Sequence, residues 1–267
     1  GAAVRCADIY EHSIAVMRGS EAIDRYASLS PSLAFEVEYW PLELYKLTLA
    51  PAEKPLARRV ALVTGAGGAI GQAIAERLLR DGMHVVLGDL DKGKMRGVAQ
   101  AFCGKFGSRR AIGLRMDVTK EPEVRSAFRD AVLSFGGLDL VVSNAGMAHI
   151  APVENLSLAD WDKSMGVNAT GHFLVAREAI QIFRRQGMGG NLIFITTKNV
   201  LAPGKDFGAY SASKSAEAQL ARICAIEGGE FGIRSNMVNP DGVFEHSGLW
   251  SAEIRRNRAR SYGIRPE

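Results

Sequence analysis

The sequence predicts an α/β protein: a doubly wound, parallel β-sheet with helices on both faces, preceded by an N-terminal helical arm. Three observations predict it. From Arg59 onward, short apolar runs rich in β-branched residues alternate with longer helical stretches, the pattern of βαβ units joined by right-handed crossovers. The first apolar run enters a glycine cluster, Thr64-Gly65-Ala66-Gly67-Gly68-Ala69-Ile70-Gly71, that opens a helix. Later runs end in Asp89, in Asp117-Val118 and in Asn144-Ala145-Gly146, at the carboxyl ends of strands, where an open α/β sheet holds its ligands.

Residues 1–57 differ in pattern from the rest. A helix is expected from Asp8 to about Ile23, with Ile9, Ile14, Val16, Met17 and Ile23 apolar. Ser30-Pro31 breaks it, a mixed segment with Tyr39, Trp40, Pro41 and Leu44 follows, and Pro51 and Pro55 bracket a linker. No chemistry is visible here, and the segment reads as a packing or docking arm. In residues 58–267, strands are expected over 60–64, 84–89, 111–117, 138–143, 191–196 and 234–238. Each is short and apolar enough to be buried on both faces. Helices are expected over 69–81, 120–135, 158–186 and 209–228. A polar helix candidate spans 251–261 near the end of the chain.

Composition excludes several classes. With 47% hydrophobic and 23% charged residues, the chain has the makings of a globular core. The net charge of +4 is mild and dispersed. The run Arg255, Arg256, Arg258 and Arg260 reads as a solvated helix face, so no nucleic-acid partner is expected. No apolar run reaches the roughly 18 residues of a membrane span, and no N-terminal signal segment is visible. Cys6, Cys103 and Cys224 are odd in number and widely spaced, which points to reduced thiols and a cytoplasmic protein. The five histidines form no ligand cluster, so no metal is expected.

The glycine cluster fits a dinucleotide. Gly65, Gly67, Gly68 and Gly71 let backbone N–H groups approach a pyrophosphate at a helix N-terminus, although Ile70 holds the last glycine position of a strict G-x-G-x-x-G. Its place between a strand and a helix separates it from an ordinary glycine-rich turn. Asp89, 24 residues after Gly65, can accept the ribose hydroxyls of NAD and would repel the extra phosphate of NADP. Asp89 could instead cap the helix after Asp91. Asp117-Val118 and Asn144-Ala145-Gly146 are cofactor contacts or, equally, caps and turns.

Tyr210 is the one tyrosine of six with a lysine four positions on, Lys214. On a helix the two share a face. An ammonium beside a phenol favours the phenolate, so the pair predicts a tyrosine tuned to move a proton near neutral pH.

Together these residues resemble the short-chain dehydrogenase/reductase family over about residues 58–250. Its T-G-x-x-x-G-x-G pattern is matched by Thr64, Gly65 and Gly71, with Ala69 for the middle glycine. Its N-N-A-G is matched by Asn144, Ala145 and Gly146, with Ser143 first. Its asparagine falls on Asn168, its Y-x-x-x-K on Tyr210 and Lys214, and its serine position on Thr197. Its P-G motif falls on Pro240-Asp241-Gly242. The segment from Ile195 through Thr196, Thr197, Lys198 and Asn199 to Tyr210, with Glu38-Tyr-Trp-Pro-Leu-Glu43, is similar to the dehydrogenase half of two-domain rhamnulose-1-phosphate aldolase/lactaldehyde dehydrogenases. In that family an aldolase comes first, so residues 1–57 would be an aldolase's tail and linker. The aldolase's paired metal-binding histidines are missing from this sequence.

The resemblance implies a Rossmann-type sheet, NAD as cofactor, a homo-oligomer, and hydride transfer to or from a small hydroxy-aldehyde or alcohol, with lactaldehyde as the implied substrate. Tyr210 would be the acid–base group, Lys214 would hold the phenolate charge and contact the nicotinamide ribose, Thr197 would bind the substrate oxygen, and Asn168 would bind a water or backbone group in a proton relay. Pro240 and Val243 would border the cofactor, and Val243, Phe244 and Trp250 are candidates for the pocket roof. Thr197 keeps the hydroxyl of serine but adds a methyl that narrows the pocket. Thr196 should face the other way along its strand. Cys224, 14 residues after Tyr210, lies about 21 Å along the same helix and reads as a core residue rather than a nucleophile. Family members continue past the point Glu267 occupies, so the domain is expected to be incomplete at its C-terminus with the sixth strand at an edge. A nucleotide-binding or assembly domain without catalysis is the alternative reading of the same fold.

Overall fold

The computed structural model describes residues 2–49 and 52–243, together with Arg256, Arg260 and Gly263. Six strands form one parallel sheet: β1 (Val60–Thr64), β2 (His84–Asp89), β3 (Ala111–Arg115), β4 (Leu140–Ser143), β5 (Gly190–Ile195) and β6 (Ile233–Val238). Their spatial order is β3-β2-β1-β4-β5-β6. The chain moves outward from β1 to β3, then returns to place β4 on the other side of β1. This reversal makes a crevice outside the carboxyl ends of β1 and β4, where doubly wound sheets bind ligands.

The apolar runs are strands because they feed two cores at once. In β1, Val60 and Leu62 point into one cluster with Val141, Phe183, Leu192 and Phe194, while Ala61 and Val63 point into another with Val85, Leu87, Leu79 and Met95. This period of two explains why β1 is buried at every position. The helices α4 (Ala69–Arg80) and α5 (Lys92–Phe106) cover the second cluster. The first lies under α6 (Glu121–Phe135), α8 (His172–Gln186) and α9 (Gly208–Gly228).

Two expectations about elements are corrected, the end of the third strand and the single helix over 158–186, and two points left open are filled in. The third strand stops at Arg115, so Asp117 and Val118 lie in the turn beyond it, where the Asp117 carboxylate accepts from the backbone N–H and the hydroxyl of Thr119. The helix expected over 158–186 is two helices, α7 (Leu158–Met165) and α8, joined by a π-helical turn, Gly166–Gly171. Asp91, not Asp89, caps α5, accepting from the Lys94 N–H at 2.9 Å. The mixed segment of the arm is helical, as α2 (Pro31–Glu38) and α3 (Pro41–Thr48) after α1 (Ala2–Ile23). Pro31 sits in the first turn of α2, where its missing N–H costs nothing, and Ser30 caps that turn through the Leu33 N–H. Apolar residues of the arm, among them Ile9, Ile14, Phe35 and Trp40, are exposed.

Among the described residues β3 and β6 are the sheet edges, and no helix is long and apolar enough to cross a membrane. The helix expected over 251–261, apart from Arg256 and Arg260, and the roof candidates Phe244 and Trp250 lie outside the described residues.

Candidate active site

The glycine turn is shaped by sterics at three of its four glycines. Gly65 has a φ of +62°, and a Cβ there would stand 2.8 Å from the Ala145 Cα. A Cβ on Gly71 would stand 2.4 Å from the Gly65 carbonyl oxygen, and one on Gly67 would stand 2.9 Å from the Asp89 carboxylate. Gly68 has more room; it begins α4 as an N-cap that offers no side-chain hydrogen bond. The first N–H groups of α4 therefore lack a side-chain acceptor from the cap, and with the helix dipole they favour an anion. Ile70 lines the cleft beside them.

Asp89 is tied into this turn. Its Oδ2 accepts from the Gly67 N–H at 2.8 Å and its Oδ1 from the Leu90 N–H at 2.7 Å. Carboxylate oxygens have lone pairs to spare for a further donor. Asn144 follows β4 directly and braces the turn from the other side. Its amide donates to the Thr64 and Gly65 carbonyls, and the Asn144 and Ala145 N–H groups both donate to the Thr64 hydroxyl. Gly146 comes next, where a Cβ would stand 3.4 Å from Asn168 Oδ1 and 3.5 Å from Lys214 Nζ. Val118 is buried against Gly171.

Asn168 is fully buried in the π turn, a device that often marks a functional position. Its amide donates to the Met147 carbonyl at 2.8 Å and to the Ser213 hydroxyl at 3.0 Å, and its oxygen accepts from the Met147 N–H.

Thr197, Tyr210, Lys214, Pro240 and Val243 line one cleft with Ile70, Asn144 and Gly146, with about 900 Å³ of empty space partly open to solvent. Thr197 lies beside the Tyr210 phenol in this lining. Thr196 is spent elsewhere, its hydroxyl donating to the Val238 carbonyl and bonding Asn239. Lys214 is buried, donates to the Ile195 carbonyl at 2.8 Å, and lies 2.7 Å from a carboxylate oxygen of Glu217. Lys198 and Asp241 form an ion pair at the cleft.

One electrostatic expectation is overturned. Burial raises the Tyr210 phenol above its ordinary value; the Thr197 hydrogen bond pulls it down, and the Glu217 charge pushes it up again. The i, i+4 pattern does put Tyr210 and Lys214 on one helix face, but the lysine's charge is met by Glu217. Sequence reasoning missed Glu217, and also His172 beside it. Spacing held the signal: Glu217 is three residues past Lys214 and seven past Tyr210, on the same face.

Cys224 is a core residue. Its thiol is pushed up to about 11 by burial and by the Glu227 charge, which makes a poor nucleophile at neutral pH. Iodoacetamide on the native protein at pH 8 should label exposed Cys6 and spare Cys224; peptide mass spectrometry reads the outcome.

A model of the short chain dehydrogenase family matches residues 59–251. A model described as aldolase class II, second domain, matches residues 2–47. An uncharacterized oxidoreductase, YuxG, of Bacillus subtilis (strain 168) is 46% identical over 259 residues; these are 97% of this chain and 38% of the relative. The chain thus spans well under half of that relative's length. The crystal structure of sorbitol-6-phosphate 2-dehydrogenase from Erwinia amylovora matches with a TM-score of 0.70 at 32% identity, covering 77% of this chain and 80% of the other. A 3-ketoacyl-(acyl-carrier-protein) reductase from Brucella melitensis, complexed with NADH, matches with a TM-score of 0.65 at 30% identity, covering 70% and 76%.

Proposed function

The chain belongs to the short-chain dehydrogenase family, and from that premise we propose that it moves a hydride between NAD and a hydroxyl-bearing carbon of a small molecule, with Tyr210 as the acid–base group. One observation carries this reading: Thr197, Tyr210 and Lys214 line one cleft beside the glycine turn.

The residues fit a dinucleotide. Gly65 and Gly71 leave no room for a Cβ against the neighbouring backbone, and the α4 N-terminus has no side-chain cap to compete with a pyrophosphate. Asp89 would take the adenine-side ribose. Asp117, Val118, Asn144, Ala145, Gly146, Pro240 and Val243 would border the rest, with Lys214 at the nicotinamide ribose. Bound NAD supplies the site that accepts or returns the hydride. The Thr197 hydroxyl holds the substrate oxygen beside the phenol. Tyr210 gives its proton to that oxygen in reduction and takes it back in oxidation. Asn168 holds the Met147 backbone, and with it the loop after β4, against α9.

The raised phenol sets a pH dependence. A group with a raised pKa is protonated at neutral pH, so the acid form needed for reduction is present there. The base form needed for oxidation grows only as pH rises toward that raised value. Oxidation should therefore climb on the alkaline side while reduction falls. Initial rates in both directions across pH, followed by NADH absorbance, check this.

Small hydroxy-aldehydes and polyols are the proposed substrates, with lactaldehyde and propane-1,2-diol as first tests. Support comes from the aldolase-type match over residues 2–47 and from the sorbitol-6-phosphate dehydrogenase neighbour. No turnover of any such compound with saturating dinucleotide would overturn the reading. NAD is proposed over NADP because Asp89 presents a negative charge with no arginine following it. Asp89→Ala should narrow the preference for NAD about tenfold, roughly 1.4 kcal/mol, and should weaken NAD itself by freeing the Gly67 N–H. The ratio of kcat/KM for the two cofactors is the readout, and an unchanged ratio counts against the assignment.

We read residues 1–57 as the tail and linker of an aldolase-type domain and 58–267 as the dehydrogenase domain. The protein is proposed to be a cytoplasmic homo-oligomer, which sedimentation velocity tests directly.

A further inference from the structure

Behind Lys214, away from the cleft, lies a buried polar cluster that the reaction as described does not use. Glu217 is fully buried on α9, and its Oε2 lies 2.7 Å from Lys214 Nζ. Its Oε1 lies 3.3 Å from Nδ1 of His172, which heads α8 and is also buried. The His172 Nε2 lies 2.8 Å from the Ala145 carbonyl and must donate to it; Nδ1 is then an acceptor and takes the Ser143 hydroxyl at 2.6 Å. Neither Glu217 oxygen has a hydrogen-bond donor aligned on it. At 2.7 Å the carboxylate and the Lys214 ammonium are in direct contact as an ion pair.

A buried carboxylate without aligned donors is costly to keep. Its placement is specific, because the ammonium it faces also lines the cleft with Tyr210. The ion pair and the Ile195 carbonyl together fix where that ammonium points. The groups facing Glu217 are Lys214 on its own helix, His172 from α8 and, through His172, Ser143 from β4; Tyr210 feels its charge through space. Burial keeps His172 neutral, with the Lys214 charge adding to the effect. Lys214 and Glu217 are then the two charges of this cluster, in contact at 2.7 Å, and the Glu217 charge pushes the phenol up.

We propose that Glu217 is a positioning residue that holds Lys214 from behind and offsets its charge, so that the Glu217–Lys214 pair, and not Lys214 alone, sets the pH at which Tyr210 exchanges its proton. This rests on reading Tyr210 as the acid–base group. Burial raises Glu217 to about 7 against the pull of Lys214, so over the alkaline range where the raised phenol titrates the carboxylate is charged and opposes the phenolate.

The test is Glu217→Gln, which keeps the shape and removes the charge. The midpoint of the pH profile of kcat/KM for oxidation should move down by about one pH unit, with the near-ultraviolet circular dichroism unchanged. Glu217→Asp, which keeps the charge, should stay nearer the wild-type midpoint than the amide does. Glu217→Met, of similar volume and also neutral, reads the same downward shift if the amide variant does not fold. A midpoint that stays in place or moves up in a folded neutral variant overturns the proposal, as does an equal shift in Asp and Gln. A second readout needs no turnover: the ultraviolet phenolate signal present in wild type and missing in Tyr210→Phe should titrate at lower pH in the Glu217→Gln background. If no dinucleotide turnover is found, the dehydrogenase reading falls, while this titration still decides the role of Glu217.

Discussion

Tyr210→Phe should lower turnover by a hundredfold or more while leaving NAD affinity within about twofold. The magnitude follows from general acid–base catalysis, which contributes roughly 10²–10⁴ in rate. The substitution removes one oxygen and little else. The ring stays on α9 and keeps its edge contact with Phe207, at 5.9 Å between centroids. The glycine turn, Asp89 and Lys214 keep their places because none of their described hydrogen bonds runs through the phenol. What is lost is the proton carrier, while the Thr197 hydroxyl still accepts from the Asn199 N–H at 3.3 Å. Steady-state kinetics by NADH absorbance measures the loss, and fluorescence titration with NADH measures the affinity. A fall in kcat with little change in binding marks a group that acts in the transition state. Retained turnover would remove Tyr210 from the chemistry, and lost NADH binding would make its role structural.

Reading the strands from sequence worked for a physical reason. Each strand core, such as residues 60–64, is sandwiched between two apolar clusters, so burial on both faces writes an unbroken apolar run. Ends were harder to place. The β3 run continues through Met116 and Val118, which are buried although they lie past the last ladder residue. Apolar character cannot tell a strand from a buried turn. The break between α7 and α8 was hidden because a π turn keeps helical burial going while shifting its phase, and Asn168 sits inside that shift. At the site, spacing marked Tyr210 and Lys214 as sharing a helix face, and Thr197 was marked by the family resemblance, but the direction in which burial pushes the Tyr210 phenol was not readable. An i, i+4 pair says which side chains share a face. It is silent on how deeply the phenol is buried and on the carboxylate that answers the lysine from behind.

Gly71→Ala should destabilise the protein by about 1–3 kcal/mol and weaken dinucleotide binding more than tenfold. Helix propensity alone points the other way, since alanine is favoured over glycine within a helix by about 1 kcal/mol. Contact decides against it. The added methyl would stand 2.4 Å from the Gly65 carbonyl oxygen, 2.8 Å from the Ala66 Cα and 3.0 Å from the Asn144 amide nitrogen. Two of these are backbone atoms, which cannot swing aside as a side-chain end does, so the first turn of α4 must back away from the glycine turn. Overpacking of this kind costs about 1–3 kcal/mol. The displacement also strains the Asn144 bonds to Thr64 and Gly65 and spoils the aim of the α4 N–H groups. Gly97→Ala on exposed α5 is the matched control: nothing lies within 4 Å of its added methyl, so propensity wins there and stability should rise by about 0.5–1 kcal/mol. Urea unfolding of both variants, beside NADH titration, should give opposite signs of stability change. A Gly71→Ala protein as stable and as tightly binding as wild type would mean that α4 does not rest on the turn through Gly71.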